Sequence, residues 1–171
     1  ENIIPLLSSA AIAEYKDEET FTNVYGIERD DLYPLVELED GHFLRSGSKD
    51  CVIGSSLADE LDLELGSRIT VQDSQLRVVG ILKKSGFGFA VNPDRATFIT
   101  PEAYEKLFDD EEDGYDIVIV KVKDLEDVEK VAESIEERLN KKEEVVTVLV
   151  TGTILESIDE IFNSISLFLM G

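Results

Sequence analysis

The chain is poor in the residues that most often carry chemistry. It has one cysteine, one histidine, one methionine, no tryptophan and four prolines in 171 residues. A single thiol, Cys51, rules out an intrachain disulfide. That suits a reducing compartment and is equally compatible with an extracytoplasmic one. Basic residues are scarce as well, 16 against 38 acids, for a formal charge of −22. No basic stripe is available to displace counterions from a phosphate backbone, so the composition argues against nucleic acid as a partner. Anionic lipid headgroups are repelled for the same reason. Long apolar runs are missing too. "ISLFLM" at 165–170 falls far short of the ~20 residues that a spanning helix needs. No signal-peptide pattern is visible.

What is present is enough for a core. Hydrophobic residues make up 43% and charged residues 32%, which describes a folded segment with a solvated acidic surface and not a disordered tail. The length suits one globular unit with room for an inserted subdomain.

The pattern along the chain is mixed α and β. Leu7–Tyr15, the charged turn "KDEE" and "TFTNVYGI" read as strand, turn, strand. "DDLYPLVELEDGHFL" reads as a connection, because Pro34 forbids a helix interior and Gly41 permits a turn. A buried strand at Cys51–Ile53 leads into a short helix through Leu61, capped by Ser55 or Ser56. Gly66 makes a turn, and a hairpin of Ile69–Val71 with Leu76–Leu82 crosses at "QDSQ". The glycine loop "KKSGFGFAVNPDR" follows, then the strand "ATFIT" and a helix opened by Thr100-Pro101. The acidic run "DDEEDG" marks a boundary. Beyond it, "YDIVIVKVK" is a strand with Val118, Val120 and Val122 on one face. Asp124 then caps a helix on which Leu125, Val128, Val131, Ala132, Ile135 and Leu139 keep helical spacing. "EVVTVLVT" reads as a second strand, giving a right-handed crossover.

A last helix begins near Thr153, with Ile154, Ile158, Ile161, Ile165 and Phe168 spaced by four and three. Its polar face, Glu156, Asp159, Glu160 and Asn163, stops at the middle, and beyond Ser166 the residues are apolar all round. Two readings fit: a helix leaving water for a membrane, and a core helix that Gly171 caps. The first is favoured.

Catalysis is hard to build from these residues. His42 follows Gly41 in a turn and has no nucleophile motif beside it, so it reads as a surface or hydrogen-bonding histidine. Cys51 opens an apolar strand and reads as a buried, inert thiol. "DDEEDG" fails as an EF-hand, because the twelfth position from Asp109 is Val120 where a bidentate Glu is required. "SGFGF" lacks the Lys-Ser/Thr of a P-loop and the dinucleotide spacing, so no ATP site is visible and no cofactor or metal is implied. Phe87 and Phe89 on that loop are either core plugs or partner anchors, and the glycines favour a chain folded back over a sheet. An acid-pair hydrolase finds no distinct pair among so many carboxylates.

The order of elements nevertheless resembles a known family. "VYGIERDDLY", "LEDGHFL", "VIGSSLADELDLELGSRITV", "LRVVGIL", "FITPEAYEKLF", "IVIVKVKDLEDVEKVAESIEERL" and "IFNSISLFLMG" occur in the order seen in the extracytoplasmic domain of MacB-like ABC-transporter permeases, within the wider FtsX-like group. Each piece is a hydrophobic pattern with a glycine or turn, and the co-linear set from about Leu6 onward carries the resemblance. It implies an α+β fold: a porter-like βαβ portion from residues 1–46 and 114–161, and a small inserted α/β subdomain at 47–113. It also implies that Glu1 lies just after one transmembrane helix and that residues 162–171 start the next. The function so implied is noncatalytic. It couples ATP hydrolysis by a cytosolic ATP-binding subunit or domain to substrate export, lipoprotein release or activation of an extracytoplasmic partner. The permease would pair with a second copy or a relative. Ile158, Ile161, Phe162 and Ile165 would lie on the coupling helix. The alternative is a free-standing binding or adaptor domain whose C-terminal helix docks on a partner.

Overall fold

A computed structural model describes residues 3–47, 49–85, 91–109 and 114–150. The chain divides into two compact units, Glu1–Val120 and Lys121–Gly171. Among the described residues no helix is long and apolar enough to cross a membrane.

The first unit is built on strands β1 (Ile3–Tyr15), β2 (Glu18–Gly26), β3 (Leu38–Gly41), β4 (Asp50–Ile53), β5 (Arg68–Val71), β6 (Ser74–Leu82), β7 (Ala96–Ile99) and β8 (Ile117–Val120). Three short helices join them: α1 (Arg29–Leu32), α2 (Ser55–Glu60) and α3 (Pro101–Phe108). The pairings run in a circle. β1 pairs with β2, β2 with β7, β7 with β4, β4 with β6, β6 with β5, and β5 returns to β1 through Ala13↔Val71 and Glu14↔Thr70. Closing the ring gives each of its strands a partner on both sides over part of its length, which shortens the free edge open to unwanted pairing. β3 adds to β6, and β8 pairs with the first residues of β1 in the register Ile3↔Val120 to Leu6↔Ile117.

Strand alternation sorts the side chains into two cores. Ala11, Ala13, Val24, Cys51, Ile53, Ile69, Val71, Leu76, Val78 and Ile99 form one, joined by Leu57, Leu61 and Tyr104 from the α2 and α3 segments. Ile4, Leu6, Tyr25, Val52, Val79 and Phe98 form the other, closed by Ile27, Leu32 and Leu44 from the connections. β4 and β7 are buried on both faces, which explains why "CVI" and "ATFI" lack a polar alternation.

Several boundaries are tighter than the sequence pattern suggests. Tyr15 pairs directly with Glu18, so only Lys16 and Asp17 turn, and Lys16 takes φ 55°. "QDSQ" likewise shrinks to Gln72 and Asp73, both at positive φ (47° and 62°) between the pair Val71↔Ser74. Two positive φ values match a type I′ turn, whose twist suits a two-residue hairpin. Thr100 caps α3 as expected, its Oγ1 accepting from the Ala103 N–H at 3.3 Å. The cap of α2 differs: Gly54 holds that position, and neither Ser55 nor Ser56 caps. A Cβ at Gly54 would lie 2.1 Å from the Pro93 carbonyl oxygen. Only glycine permits that approach, and Ser55 becomes the first helical residue with a buried hydroxyl.

β8 is shorter than "YDIVIVKVK". Val118 and Val120 do share a face, and it is the exposed one; Ile117 and Ile119 pack on the second core.

The second unit contains α4 (Val128–Leu139), preceded by a 3₁₀ turn at Leu125–Asp127. Asp127, not Asp124, sits at the helix start, because the Asp127 N–H already bonds to the Asp124 carbonyl and inserts that turn. No residue of α4 is buried. The expected strand over 144–150 is not formed. At its beginning the Asn140 side chain takes the bonds that a neighbouring strand would use: Oδ1 accepts from the Val145 and Val146 N–H groups (2.9 and 3.0 Å), and Nδ2 donates to the Val146 carbonyl at 2.8 Å. The helix expected from Thr153 lies outside the described residues.

Candidate functional site

The most elaborated polar structure in the first unit lies where the glycine loop leaves and rejoins the sheet. The loop departs from the end of β6 and returns through a 3₁₀ turn at Pro93–Arg95 into β7. Asp94 is buried there, and its Oδ1 accepts from both the Ser85 N–H at 2.8 Å and the Ser85 hydroxyl at 3.2 Å. A carboxylate bonded to the other stem of the loop clamps the two stems together. Beside it Tyr25 stacks on Phe98 with ring centroids 5.5 Å apart, and burial raises the Tyr25 hydroxyl above its usual range despite a hydrogen bond to the Asn92 backbone. Phe87 and Phe89, expected on this loop as core plugs or partner anchors, lie outside the described residues.

The next residue, Arg95, extends the clamp to the surface. Its guanidinium meets Glu60 Oε2 at 2.7 Å and donates to Thr20 Oγ1 at 3.2 Å, while Thr20 donates to Glu60 Oε1 at 2.5 Å. The Thr20 bond holds the Glu60 carboxyl below the usual range; burial opposes it, and the Arg95 charge and bond each add a smaller lowering. Thr22 Oγ1 donates to the Arg95 carbonyl at 3.0 Å and pairs with the Thr97 hydroxyl at 2.9 Å. Together these contacts tie the β1–β2 hairpin to α2 and to the loop root. The sequence offered a faint sign of this in "NPDR", a turn with adjacent opposite charges.

The groups most often recruited for catalysis are elsewhere and occupied. His42 is exposed, with Nδ1 2.8 Å from the Phe43 carbonyl and its backbone N–H donating to the Val79 carbonyl. Cys51 is fully buried, and burial, with a smaller contribution from Asp50, pushes its thiol far above the reactive range. Among the described residues no group of three or more His, Cys, Asp or Glu side chains could hold a metal ion.

Apolar side chains are exposed in several places among the described residues, and two patches bear on binding. On the hairpin, Phe21 is 72% exposed and lies directly opposite Ile12, 41% exposed. The sequence did carry a signal here: Thr20, Thr22 and Val24 are the inward parity of β2, which leaves Phe21 out of phase. In the second unit, a groove of ≈ 590 Å³ is lined by Val122, Val131, Ile135 and Leu139, with Lys130 and Arg138 among its walls. Lys130 is also paired with Asp127 at 3.2 Å. Both surfaces can bind by burial of apolar area, and neither presents a reacting group. The coupling-helix residues Ile158, Ile161, Phe162 and Ile165 lie outside the described residues.

Comparison with known proteins bears on the family and the fold. The family described as MacB-like periplasmic core domain matches residues 1–138. Two uncharacterized ABC transporter permeases of Methanocaldococcus jannaschii are similar, one 25% identical over 159 residues and the other 31% identical over 172. These alignments cover 91% and 92% of this chain but 40% and 41% of the permeases, so the chain spans about two fifths of their length. Among solved structures, the periplasmic region of MacB from Actinobacillus actinomycetemcomitans superposes with a TM-score of 0.66 at 16% identity, covering 93% of this chain and 76% of that one. The extracellular domain of the noncanonic ABC-type transporter YknZ from Gram-positive bacteria superposes at 0.63 and 17% identity, covering 82% and 75%. At these identities the structures establish a shared fold.

Proposed function

Since the chain belongs to the MacB-like periplasmic core domain family and lies on the extracytoplasmic side of the cell membrane, we propose that it is the noncatalytic outer domain of an ABC-transporter permease. The observation that carries this reading is the family match over residues 1–138, supported by similarity to two larger permeases. In this reading a cytosolic ATP-binding subunit or domain hydrolyses ATP, and two permeases, identical or related, bring their membrane helices together. Residues 153–171, rising ~1.5 Å per residue if helical, carry that motion outward as a stiff lever. Ile158, Ile161, Phe162 and Ile165 lie on the lever. The outcome is substrate export, lipoprotein release or activation of an outside partner.

The first unit is suited to receive such a motion. Its strand pairings close on themselves and its two cores are buried, so a displacement at one point moves the whole body. The division into a porter-like portion (1–46 with 114–161) and an insert (47–113) belongs to the same proposal. Here β5 and β7 of the insert pair with β1 and β2, so insert and porter strands would move as one piece.

The test is made in the whole transporter. Glycine or proline placed within 158–165 is expected to abolish transport while ATP hydrolysis and folding of the outer domain persist. Equal loss of folding, hydrolysis and transport would overturn the lever. A start and a stop codon at the present ends of the chain would overturn the permease reading itself.

A further inference from the structure

We propose that the outer face of the β1–β2 hairpin is a docking surface for a basic, arginine-bearing protein segment on the extracytoplasmic side. Only the location of the partner rests on the transporter reading; the chemistry rests on the hairpin. Phe21 is the most exposed large apolar side chain among the described residues, at 72%, and it sits within a nine-residue strand, not at a turn. Its cross-strand partner is Ile12, so the two form one apolar pair. A neighbouring pair on the same face is Glu14↔Glu19. Like charges directly opposite each other weaken a hairpin; on the next strand Glu14 pairs with Thr70, and the exposed Arg68 lies two residues along on that same face, one cation beside the two carboxylates. Asp17 and Glu18 add two exposed carboxylates at the turn, against the single cation Lys16, which lies 4.8 Å over the Tyr15 ring.

The hairpin is also held in place before any partner arrives. On its reverse side Ala11, Ala13, Thr22 and Val24 are buried. Thr20 and Thr22 are bonded to Glu60 and to the Arg95 carbonyl. A strand fixed in this way loses little conformational freedom on binding.

The charge pattern selects the occupant. A second copy of a chain carrying −22 is repelled, and so is an anionic lipid surface. A cationic segment is attracted, and arginine fits both parts of the face. Its planar guanidinium stacks on a phenylalanine ring and forks onto a carboxylate. An apolar side chain beside it would cover Ile12.

The probe is a short fluorescein-labelled peptide alternating arginine and tryptophan, titrated by anisotropy with the full chain. Its glutamate counterpart serves as control. Phe21→Ser and Ile12→Thr leave the net charge unchanged and are expected to weaken binding, the first by about tenfold. Their thermal midpoints should match the parent, since both side chains are exposed. Reversing Glu14 and Glu19 to lysine should weaken binding further. Reversing Glu129 and Glu133, exposed on α4, changes the net charge equally and should leave affinity within about twofold. The proposal fails if Phe21→Ser binds like the parent, or if both charge reversals weaken binding alike, since that is diffuse electrostatics. It also fails if Phe21→Ser instead abolishes self-association in sedimentation or binding to phosphatidylglycerol vesicles. None of these results depends on ATP hydrolysis, so a failure here is distinguishable from a failure of the lever.

Discussion

The two units use apolar residues in opposite ways. In Glu1–Val120 the strands bury both parities over much of the ring, and Phe98, Tyr104, Ile53 and Leu57 are almost completely enclosed. In Lys121–Gly171, α4 repeats Val128, Val131, Ala132 and Ile135 at helical spacing, yet none of them is buried. Composition alone would not separate these regions, because both are rich in Val and Ile. The difference lies in connectivity. Strands that close a ring meet on two sides and trap their side chains, whereas a lone helix has one apolar stripe and needs a second element to cover it. Among the described residues, therefore, the first region encloses its own core, while α4 keeps an apolar stripe that is not fully covered.

Truncating the enclosed core should give the largest effect. Phe98 is 1% exposed and stacks on Tyr25, so Phe98→Ala should cost about 3–5 kcal/mol in urea unfolding, through lost burial and a residual cavity. A loss under ~1 kcal/mol would mean that the core refills, and that the contrast between the units is overstated.

Gly54→Ala comes next. The added methyl would meet the Pro93 carbonyl oxygen at 2.1 Å and the Asp94 carbonyl carbon at 2.3 Å, both backbone atoms that no rotamer can move. An effect of at least about 2 kcal/mol is expected, since α2 must separate from the loop root. Alanine scanning at the nearby exposed Asp59 gives the baseline, and equal stability of the two variants would show that the strand–helix junction is soft.

The sharpest test of the comparison is Ile135→Ala. The chemistry resembles that of a core truncation, but the side chain is only half-buried. Global stability should fall by less than ~1 kcal/mol. A cost approaching that of Phe98→Ala would show that α4 is packed as tightly as the ring.

How much of this was legible follows the same division. The strands β4 to β7, their hairpin and the Thr100-Pro101 helix start are local signals, and the pattern placed them within one or two residues. What it missed was non-local. "DDLYPLVELEDGHFL" read as a mere connection, yet Leu38–Gly41 finds β6 across the chain, while Gly54 takes the cap from two serines because Pro93 approaches from a distant segment. "EVVTVLVT" had the right composition for a strand, but Asn140 satisfies the backbone donors at its start and no ladder forms. The Glu60–Arg95–Thr20 clip joins residues separated by tens of positions, and nothing in their local context announces it. Phe21 is visible as a break in alternation, but the β-rich residues on either side of it mask the signal.

The smallest expected effect concerns that clip, and its sign can be worked out. The folded Glu60 carboxyl is held below its ordinary value, chiefly by the Thr20 hydroxyl and then by Arg95. The folded state therefore binds this proton less readily than the unfolded chain does. The stabilisation is fully present above the ordinary carboxylate range and is lost as pH falls through the lowered folded value. Glu60→Gln keeps one acceptor oxygen for Arg95, turns an amide N–H toward the Thr20 hydroxyl, and cannot titrate. The difference in urea midpoint between parent and variant should thus favour the parent at neutral pH and shrink towards zero in acid. Taking the difference removes the contribution of the other 37 acids (38 less Glu60), whose mutual repulsion is relieved in both proteins alike. Glu60 is solvent-exposed, so salt should narrow the gap at neutral pH as well. A difference that stays constant from neutral to acid pH would show that shape alone, and not charge, ties the hairpin to the loop root.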